Sequence, residues 1–275
     1  MLNSHPRIFI ANEAKVFVRF LPRALRKSLQ LDIKAAQDVI NGLENNELYY
    51  LKPLPAASDV LNGHDNIAPC IFIKRMFEDL AAREGKSRWG EKTAVAYRQL
   101  PIIRECFPDA IYIGLDRDPY ERAASYVKVN PKWGALGAIV HWLDFRRAIY
   151  SQGTEFNCLL VSYRNLVSDP EATLSGICAH IGESYEDDML EFHTSDRAKF
   201  LASDATFNGA SKPLYSKSGA SSRMHNGVTG HLINRLIKAD PLRDPVKNRV
   251  SVLLPVVKLW VYAQAIMWEI LHRSK

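Results

Sequence analysis

Two short segments, each ending in or followed by a cation, constrain the fold of this chain more than any other feature. Arg88-Trp-Gly-Glu-Lys-Thr93 is typical of a short strand, and the apolar run 110–115 is typical of a parallel strand buried on both faces. The segment between them, 94–106, has helical spacing and ends before Phe-Pro. Because ligands bind at the carboxyl ends of parallel strands, we expect Lys92 and Arg117 to face a doubly anionic ligand at one sheet edge.

The rest of the chain continues this alternation of strands and helices. The sequence predicts a further strand at 157–162 and helices at 14–52, 71–83, 135–151 and 170–181. Such alternation favours an α/β fold with a parallel sheet flanked by helices. We expect a single domain over residues 1–275, with a flexible loop at 203–230 and a C-terminal helix at 245–272.

The composition limits the classes of ligand and the cellular locations that we expect for this chain. A net charge of +6 and a pI near 9.1 favour anionic ligands, but the basic residues are dispersed, so we expect no nucleic-acid partner. The four cysteines lie far apart without zinc spacing, which predicts free thiols, no metal and a reducing, cytoplasmic location. No apolar leader follows Met1. Lys258 and Glu269 interrupt the apolar segment 250–271, which favours a buried or amphipathic helix over membrane contact.

The spacing of Arg117 and Ser125 suits a phosphate site. Arg117 closes the predicted strand, and Ser125 lies two turns into the helix that Pro119 begins. A guanidinium forms paired charge-assisted hydrogen bonds with a phosphate, and a hydroxyl adds another. The alternative is a surface arginine that pairs with Asp116 or Asp118.

These segments, together with Phe107-Pro-Asp-Ala110 and Arg117-Asp-Pro119, resemble the cofactor-binding region of the sulfotransferase family. That family uses 3′-phosphoadenosine 5′-phosphosulfate (PAPS). The resemblance implies a P-loop-NTPase-like parallel sheet and transfer of a sulfuryl group from PAPS to a hydroxyl or amine acceptor, with no metal required. It assigns the 3′-phosphate of the cofactor to Arg117 and Ser125.

The resemblance also implies that Lys92 stabilises the phosphate that leaves during sulfuryl transfer. Charge develops on that oxygen in the transition state, and a lysine ammonium can act there as a point charge or a proton donor. Ala94 stands where many bacterial relatives have proline. The alternative is a surface ion pair of Glu91 with Lys92, which would contribute little to stability.

The first thirteen residues resemble a family segment in which a helix ends in Leu-x-x-His-Pro and a glutamate follows. In the tyrosylprotein branch that glutamate is the general base, and Glu13 matches its position. The alternative is an ion pair of Glu13 with Lys15 or Arg19. We expect His5 to be a packing residue at the helix end.

Two further segments carry candidate cofactor contacts. Leu159-Leu-Val-Ser-Tyr-Arg164 resembles the family segment whose tyrosine contacts the adenine side, which assigns that role to Tyr163; Arg164 replaces the usual glutamate. The stretch from Lys212 to Arg223 resembles the late loop that closes over the cofactor, with Ser218 and Arg223 as candidates. The tryptophan of that loop is absent here, and a flexible polar linker is the alternative.

One expected part of the family pattern is missing. Relatives begin with a strand and a loop of the type Pro-Arg-Ser-Gly-Thr-Thr, whose N–H groups bind the 5′-phosphosulfate, and no Gly-rich phosphate loop occurs in this sequence. We therefore expect the first strand and loop of the fold to be absent and PAPS to bind weakly. The alternative function is a catalytically inactive, N-terminally truncated homologue that acts as a binding or accessory protein. A P-loop kinase relative would need a Walker loop and a magnesium-binding acid, and neither is visible.

Overall fold

The chain divides into two compact units in the computed structural model. Unit 1 comprises Met1–Ala110 with Leu174–Pro213, and unit 2 comprises Ile111–Thr173 with Leu214–Lys275. The structure describes residues 1–27, 30–44, 53–153, 156–202, 211–214, 228–238, 240 and 253–272. The single domain expected from the sequence stays a prediction.

The described residues contain six strands in three pairs. Two pairs are parallel and one is antiparallel, which confirms a helix-rich α/β fold with parallel strands. The strands are β1 Ile8–Asn12, β2 Leu31–Asp32, β3 Asn66–Ile67, β4 Arg88–Lys92, β5 Tyr112–Asp116 and β6 Cys158–Ser162. The order within the sheets is β1–β4, β2–β3 and β5–β6.

Helices account for most of the remaining described chain. The α-helices are α1 Leu21–Lys27, α2 Ile33–Glu44, α3 Ala57–Leu61, α4 Pro69–Arg83, α5 Leu100–Cys106, α6 Pro119–Val129, α7 Gly134–Tyr150, α8 Tyr163–Ser168, α9 Pro170–Ile181, α10 Asp196–Ala202, α11 Val228–Ile237 and α12 Leu253–His272. Short 3₁₀ segments occur at Leu2–Ser4, Ala96–Gln99, Pro131–Trp133 and Asp187–Thr194, and a π-helical segment at Val16–Phe20.

In unit 1, the first strand was not predicted from the sequence. β1 pairs in parallel with β4, in a register that sets Ile8 opposite Arg88 and Asn12 opposite Lys92. Residues 14–52, predicted to be helical, instead contain the π-helical segment, α1, the short strand β2 and α2, with 28–29 and 45–52 outside the described residues.

Aromatic packing holds β4 in place. The ring of Trp89 stacks on Phe77 of α4 at 5.0 Å and meets Phe107 edge-on at 5.7 Å. Four residues of α4 are almost fully buried: Phe72, Ile73, Met76 and Phe77. Burial of side chains this large is the main source of stability in such a layer. It therefore fixes the strand that ends at Lys92.

A disulfide corrects the expectation that all four cysteines are free thiols. Cys70 at the start of α4 is bonded to Cys106 at the end of α5, with Cα atoms 5.3 Å apart. Cys158 and Cys178 are free, and burial raises the pKa of the Cys158 thiol to about 11. The cysteines therefore no longer support a reducing compartment, and the cellular location stays a prediction.

In unit 2, a long helix organises the core around the pair β5–β6. Tyr112 lies opposite Cys158 and Asp116 opposite Ser162. Trp142 and Leu143 of α7 are fully buried in a cluster that also includes Ile233 of α11 and Leu254 of α12. The carboxyl ends of β5 and β6 thus lie side by side on a packed support.

Helix α12 has apolar side chains on its exposed face as well as on its buried face. Leu254, Val257 and Val261 are buried, whereas Val256, Leu259, Trp260 and Tyr262 are exposed although they too are apolar or aromatic. Among the described residues, no helix is long and apolar enough to cross a membrane. The predicted C-terminal helix is thus present from Leu253 to His272, and residues 245–252 lie outside the described residues.

Lys92 and Arg117 do not share one strand pair. Lys92 ends β4, which pairs with β1, whereas Arg117 follows β5, which pairs with β6. The sequence thus predicts the strand that carries each cation, and a common ligand for Lys92 and Arg117 stays a prediction.

Removal of the disulfide should lower the stability of unit 1. Its cysteines are 36 residues apart, and the chain-entropy model gives a stabilisation of about 3–4 kcal/mol for such a loop. We expect the double variant Cys70→Ser/Cys106→Ser to lose free energy of unfolding of that order in urea titrations. Cys158→Ser, which breaks no disulfide, is the matched control, and equal stability of both variants would contradict the prediction.

Candidate active site

The turn that follows β1 carries the predicted general base. Glu13 and Lys15 have φ angles of 56° and 55°, in the left-handed region that residues other than glycine adopt uncommonly. Each such residue costs on the order of 1–2 kcal/mol, so surrounding contacts must hold the turn. One of them is the N–H of Glu13, which donates to the carbonyl oxygen of Lys92 at 2.5 Å.

The side chains of Glu13 and Lys92 contact each other directly. Nζ of Lys92 lies 2.5 Å from Oε1 of Glu13, and the N–H of Ala94 donates to the same oxygen at 3.2 Å. The Lys92 side chain is 52% exposed and the Glu13 side chain 16%. The structure therefore brings the two predicted catalytic residues together, at a place that solvent and ligands can reach.

The side chain of the neighbouring Glu91 points inward and contacts Lys15 and Thr93. Its Oε1 accepts hydrogen bonds from the N–H of Lys15, at 3.2 Å, and from the hydroxyl of Thr93. The N–H of Lys15 also donates to Oγ1 of Thr93 at 3.0 Å. Oε2 of Glu91 is buried and has no hydrogen-bond partner within the described part of the chain. The surface Glu91–Lys92 pair considered as an alternative thus does not describe Glu91.

Burial raises the pKa of Glu91 from 4.5 to about 7. Loss of hydration is the largest cause, and the negative charge of Glu13 raises this pKa further. The hydrogen bonds from Thr93 and Lys15 and the charge of Lys92 act in the opposite direction. Near neutral pH this carboxyl therefore exists in both protonation states.

In unit 2, the ends of the parallel strands β5 and β6 bring two predicted cofactor residues together. The guanidinium of Arg117 lies over the ring of Tyr163 at 4.4 Å from the ring centre, a cation–π contact. Nε of Arg117 lies 3.4 Å from Oε2 of Glu121, and Nη2 of Arg164 lies 3.8 Å from the other oxygen of Glu121. The structure thus places the cation of Arg117 against the aromatic ring of Tyr163 and beside the carboxylate of Glu121.

The acids that flank Arg117 have other partners, which argues against the alternative interpretation of this residue. Asp116 accepts from Nε1 of Trp142 at 3.1 Å and from Nη1 of Arg146 at 2.5 Å. Asp118 caps α6 by accepting from two of its backbone N–H groups. The contact of Asp116 with Arg146 could not be predicted from the sequence, because the two residues are far apart in the chain.

The remaining predicted residues divide into two groups. Ser125 lies on α6 with an exposed side chain, and nothing in its described contacts tests its role. Ser218 and Arg223 lie outside the described residues. The described residues contain no group of three or more His, Cys, Asp or Glu side chains that could hold a metal ion.

Glu91 and Thr93 were missed as site residues, although a signal for Glu91 was present. Side chains alternate along a strand, so Glu91 lies on the same face of β4 as Trp89, which packs inward on Phe77. An acid on the inward face of a buried strand is uncommon and indicates a functional or paired group.

Comparison with known proteins places these residues in a family context. The profile of the family described as "Sulfotransferase family" matches residues 1–187. Among curated proteins, no significant match is found. Similar solved structures are the sulfotransferase domain of the olefin synthase from Synechococcus PCC 7002 and a sulfotransferase domain from the curacin biosynthetic pathway.

Both structural likenesses are distant. The olefin synthase domain has 16% identity and a TM-score of 0.47, over 84% of this chain and 94% of that domain. The curacin pathway domain has 17% identity and a TM-score of 0.48, over 92% of this chain and 90% of that domain. The family assignment therefore rests on the sequence profile.

The raised pKa of Glu91 should make the stability of the protein depend on pH. The folded state holds this proton up to about pH 7, whereas the unfolded chain releases it near 4.5. This contribution is full below pH 4.5 and is lost as pH rises through 7, by an amount on the order of 3 kcal/mol. We expect chemical denaturation between pH 4.5 and 8 to show this loss in the wild type and not in Glu91→Gln; equal pH dependence in both would contradict it.

Proposed function

The chain belongs to the sulfotransferase family, and on this premise we propose that it transfers a sulfuryl group from PAPS to a hydroxyl or amine acceptor. The observation that supports this most is the direct contact of Glu13 with Lys92, 2.5 Å apart. One is an acceptor of protons and the other a cation. Transfer of a sulfuryl group from a phosphate to a hydroxyl needs both.

Glu13 acts as the general base in this proposal. Both of its described side-chain bonds, from Lys92 and from the N–H of Ala94, go to Oε1. Oε2 of the same carboxylate is then the oxygen that takes the proton from the acceptor. The acceptor oxygen or nitrogen attacks the sulfur as its proton moves to Glu13, which gives the nucleophile the electron pair that it needs.

Lys92 acts at the other side of the sulfur. As the new bond forms, the bond from sulfur to the 5′-phosphate oxygen breaks and negative charge collects on that oxygen. An ammonium group close to this charge stabilises the transition state more than the ground state. Since Lys92 is half exposed, its side chain can leave Glu13 for the phosphosulfate, and that movement also frees Glu13 to accept a proton.

The 3′ end of PAPS is assigned to residues of unit 2. The guanidinium fork of Arg117 suits the 3′-phosphate, with the hydroxyl of Ser125 as a second donor. The ring of Tyr163, already in contact with Arg117, suits the adenine face. In the structure Glu121 lies 3.4 Å from Arg117, so a bound phosphate would replace this carboxylate as the partner of the guanidinium. Ser218 and Arg223 remain candidates for the loop that covers the nucleotide.

Loss of the Lys92 charge should impair the chemical step. We expect Lys92→Ala to lower kcat by about 100- to 1,000-fold, the usual effect of removing one group that stabilises the transition state. The assay measures transfer of radioactive sulfate from PAPS to a panel of phenols, sugars and amines. Lys74→Ala, at an exposed lysine of α4 that pairs with Glu78, is the control. Equal rates for Lys92→Ala and the wild type would contradict the role of Lys92.

Loss of Arg117 should weaken recognition of the 3′-phosphate alone. We expect Arg117→Ala to bind 3′-phosphoadenosine 5′-phosphate about tenfold or more weakly, because a charge-assisted bidentate contact is lost. The affinity for adenosine 5′-phosphate, which lacks the 3′-phosphate, should change much less. Calorimetric titration of both nucleotides measures the difference.

Arg164→Ala is the matched control for this titration. Arg164 contacts the same Glu121, but its side chain is 76% exposed and lies 3.8 Å from that carboxylate. We expect this variant to bind both nucleotides as the wild type does. If Arg117→Ala weakened both nucleotides equally, the assignment of the 3′-phosphate would be wrong.

A further inference from the structure

We propose that Glu91 is a positioning residue: its buried carboxyl holds the turn of residues 13–15 so that the carboxylate of Glu13 stays directed toward Lys92 and the acceptor. This inference rests on the proposed role of Glu13 as general base. It assigns a task to a side chain that does not itself touch the reacting atoms.

The turn needs an anchor because its backbone is held in an uncommon conformation. Glu13 and Lys15 both have left-handed φ angles, and residues without a compensating contact leave that region for the right-handed or extended ones. A rotation at either residue would move the Glu13 carboxylate away from Lys92. Misplacement of a reacting group by about 1 Å is enough to cost roughly 100-fold in rate.

Three consecutive residues at the end of β4 supply that anchor. The carbonyl of Lys92 accepts the N–H of Glu13 and so holds the first residue of the turn. Oε1 of Glu91 and Oγ1 of Thr93 both accept the N–H of Lys15, at 3.2 and 3.0 Å, and hold the last. The hydroxyl of Thr93 in turn donates to Oε1 of Glu91, which fixes both acceptors in place.

The carboxyl at position 91 is costly for the fold. Its Oε2 is buried without a hydrogen-bond partner in the described residues, and a buried polar atom without a partner costs on the order of 1–3 kcal/mol. A group that lowers stability beside an active site is expected where it contributes to function, and here it contributes the second acceptor for the turn.

The decisive experiment compares two variants with the wild type in single-turnover sulfuryl transfer to a phenol that proves to be an acceptor. Glu91→Leu removes the acceptor oxygen, and we expect the transfer rate to fall about 10- to 100-fold. Glu91→Gln keeps that oxygen and should recover most of the rate. The affinity for 3′-phosphoadenosine 5′-phosphate should be equal in both, since Glu91 acts through Glu13 and not through the nucleotide.

A double variant separates positioning from general damage to the fold. In a Glu13→Gln background the base is already lost, so Glu91→Leu should lower the residual rate by less than twofold. An equal loss in both backgrounds would overturn the proposal, because damage unrelated to Glu13 acts in both. Should Glu91→Leu fail to fold, Thr93→Val removes the partner hydroxyl with little change of shape, and the same non-additivity with Glu13→Gln is expected.

Glu183 offers a control for the loss of a buried carboxylate. Glu183 has a similarly buried carboxylate in the same unit, with a side chain 5% exposed and contacts to Arg7 and Arg88. Glu183→Gln should lower stability without changing the transfer rate. If the wild type transferred no sulfuryl group to any acceptor, the proposed function would fail. If Glu13→Gln left the transfer rate unchanged, the role of Glu13 as base would fail, and this inference with it. If Glu13→Gln abolished transfer but Glu91→Leu did not slow it, only this inference would fail.

Discussion

The parallel pairing of β1 with β4 is the constraint on which the candidate active site depends. Its register places Asn12 opposite Lys92, so that Glu13, the residue after β1, meets the end of β4. The N–H of Glu13 then reaches the carbonyl of Lys92, and the two side chains meet above it. The backbone hydrogen bonds of this pair thus make neighbours of residues that are 79 positions apart in the chain. Trp89, packed between Phe77 and Phe107, keeps β4 from shifting in this register.

Buried acidic side chains have different partners at the ends of β4 and β5. At β4 the buried carboxyl of Glu91 is bonded to neutral donors and keeps a raised pKa. At β5 Asp116 faces Arg146, whose Nε lies 2.7 Å from Asp240, a residue with no exposure at all. Such a triad contributes little net stability compared with apolar packing, but removal of one member leaves an uncompensated charge. Its main effect is to hold the end of β5, and with it the backbone from which Arg117 projects.

Prediction from the sequence succeeded where short-range patterns decide the structure. The apolar run before Arg117, the proline at the start of α6 and the 170–181 segment each carry a local signal, and the strands and helices follow it closely. The neighbourhood of Arg117 and Tyr163 follows from one further rule, that parallel strands align their carboxyl ends. The strand β1 was missed because a segment of only five residues is too short to show a clear hydrophobic period. It forms a strand because it pairs with β4. The Cys70–Cys106 bond, likewise, depends on where α4 and α5 lie, which their spacing in the chain does not reveal.

The left-handed backbone at Glu13 has a consequence for how this position can change over generations. Glycine and asparagine are the residues that such a backbone accepts most readily, and neither can remove a proton from an alcohol or an amine. Substitutions that stabilise the backbone here would therefore remove the carboxylate. Aspartate would keep it, but its side chain is one carbon shorter. With φ at 56°, glutamate is less favourable for the backbone than glycine or asparagine would be, but it supplies a carboxylate. The role proposed for Glu13 as general base, and not stability, would explain a glutamate at this position.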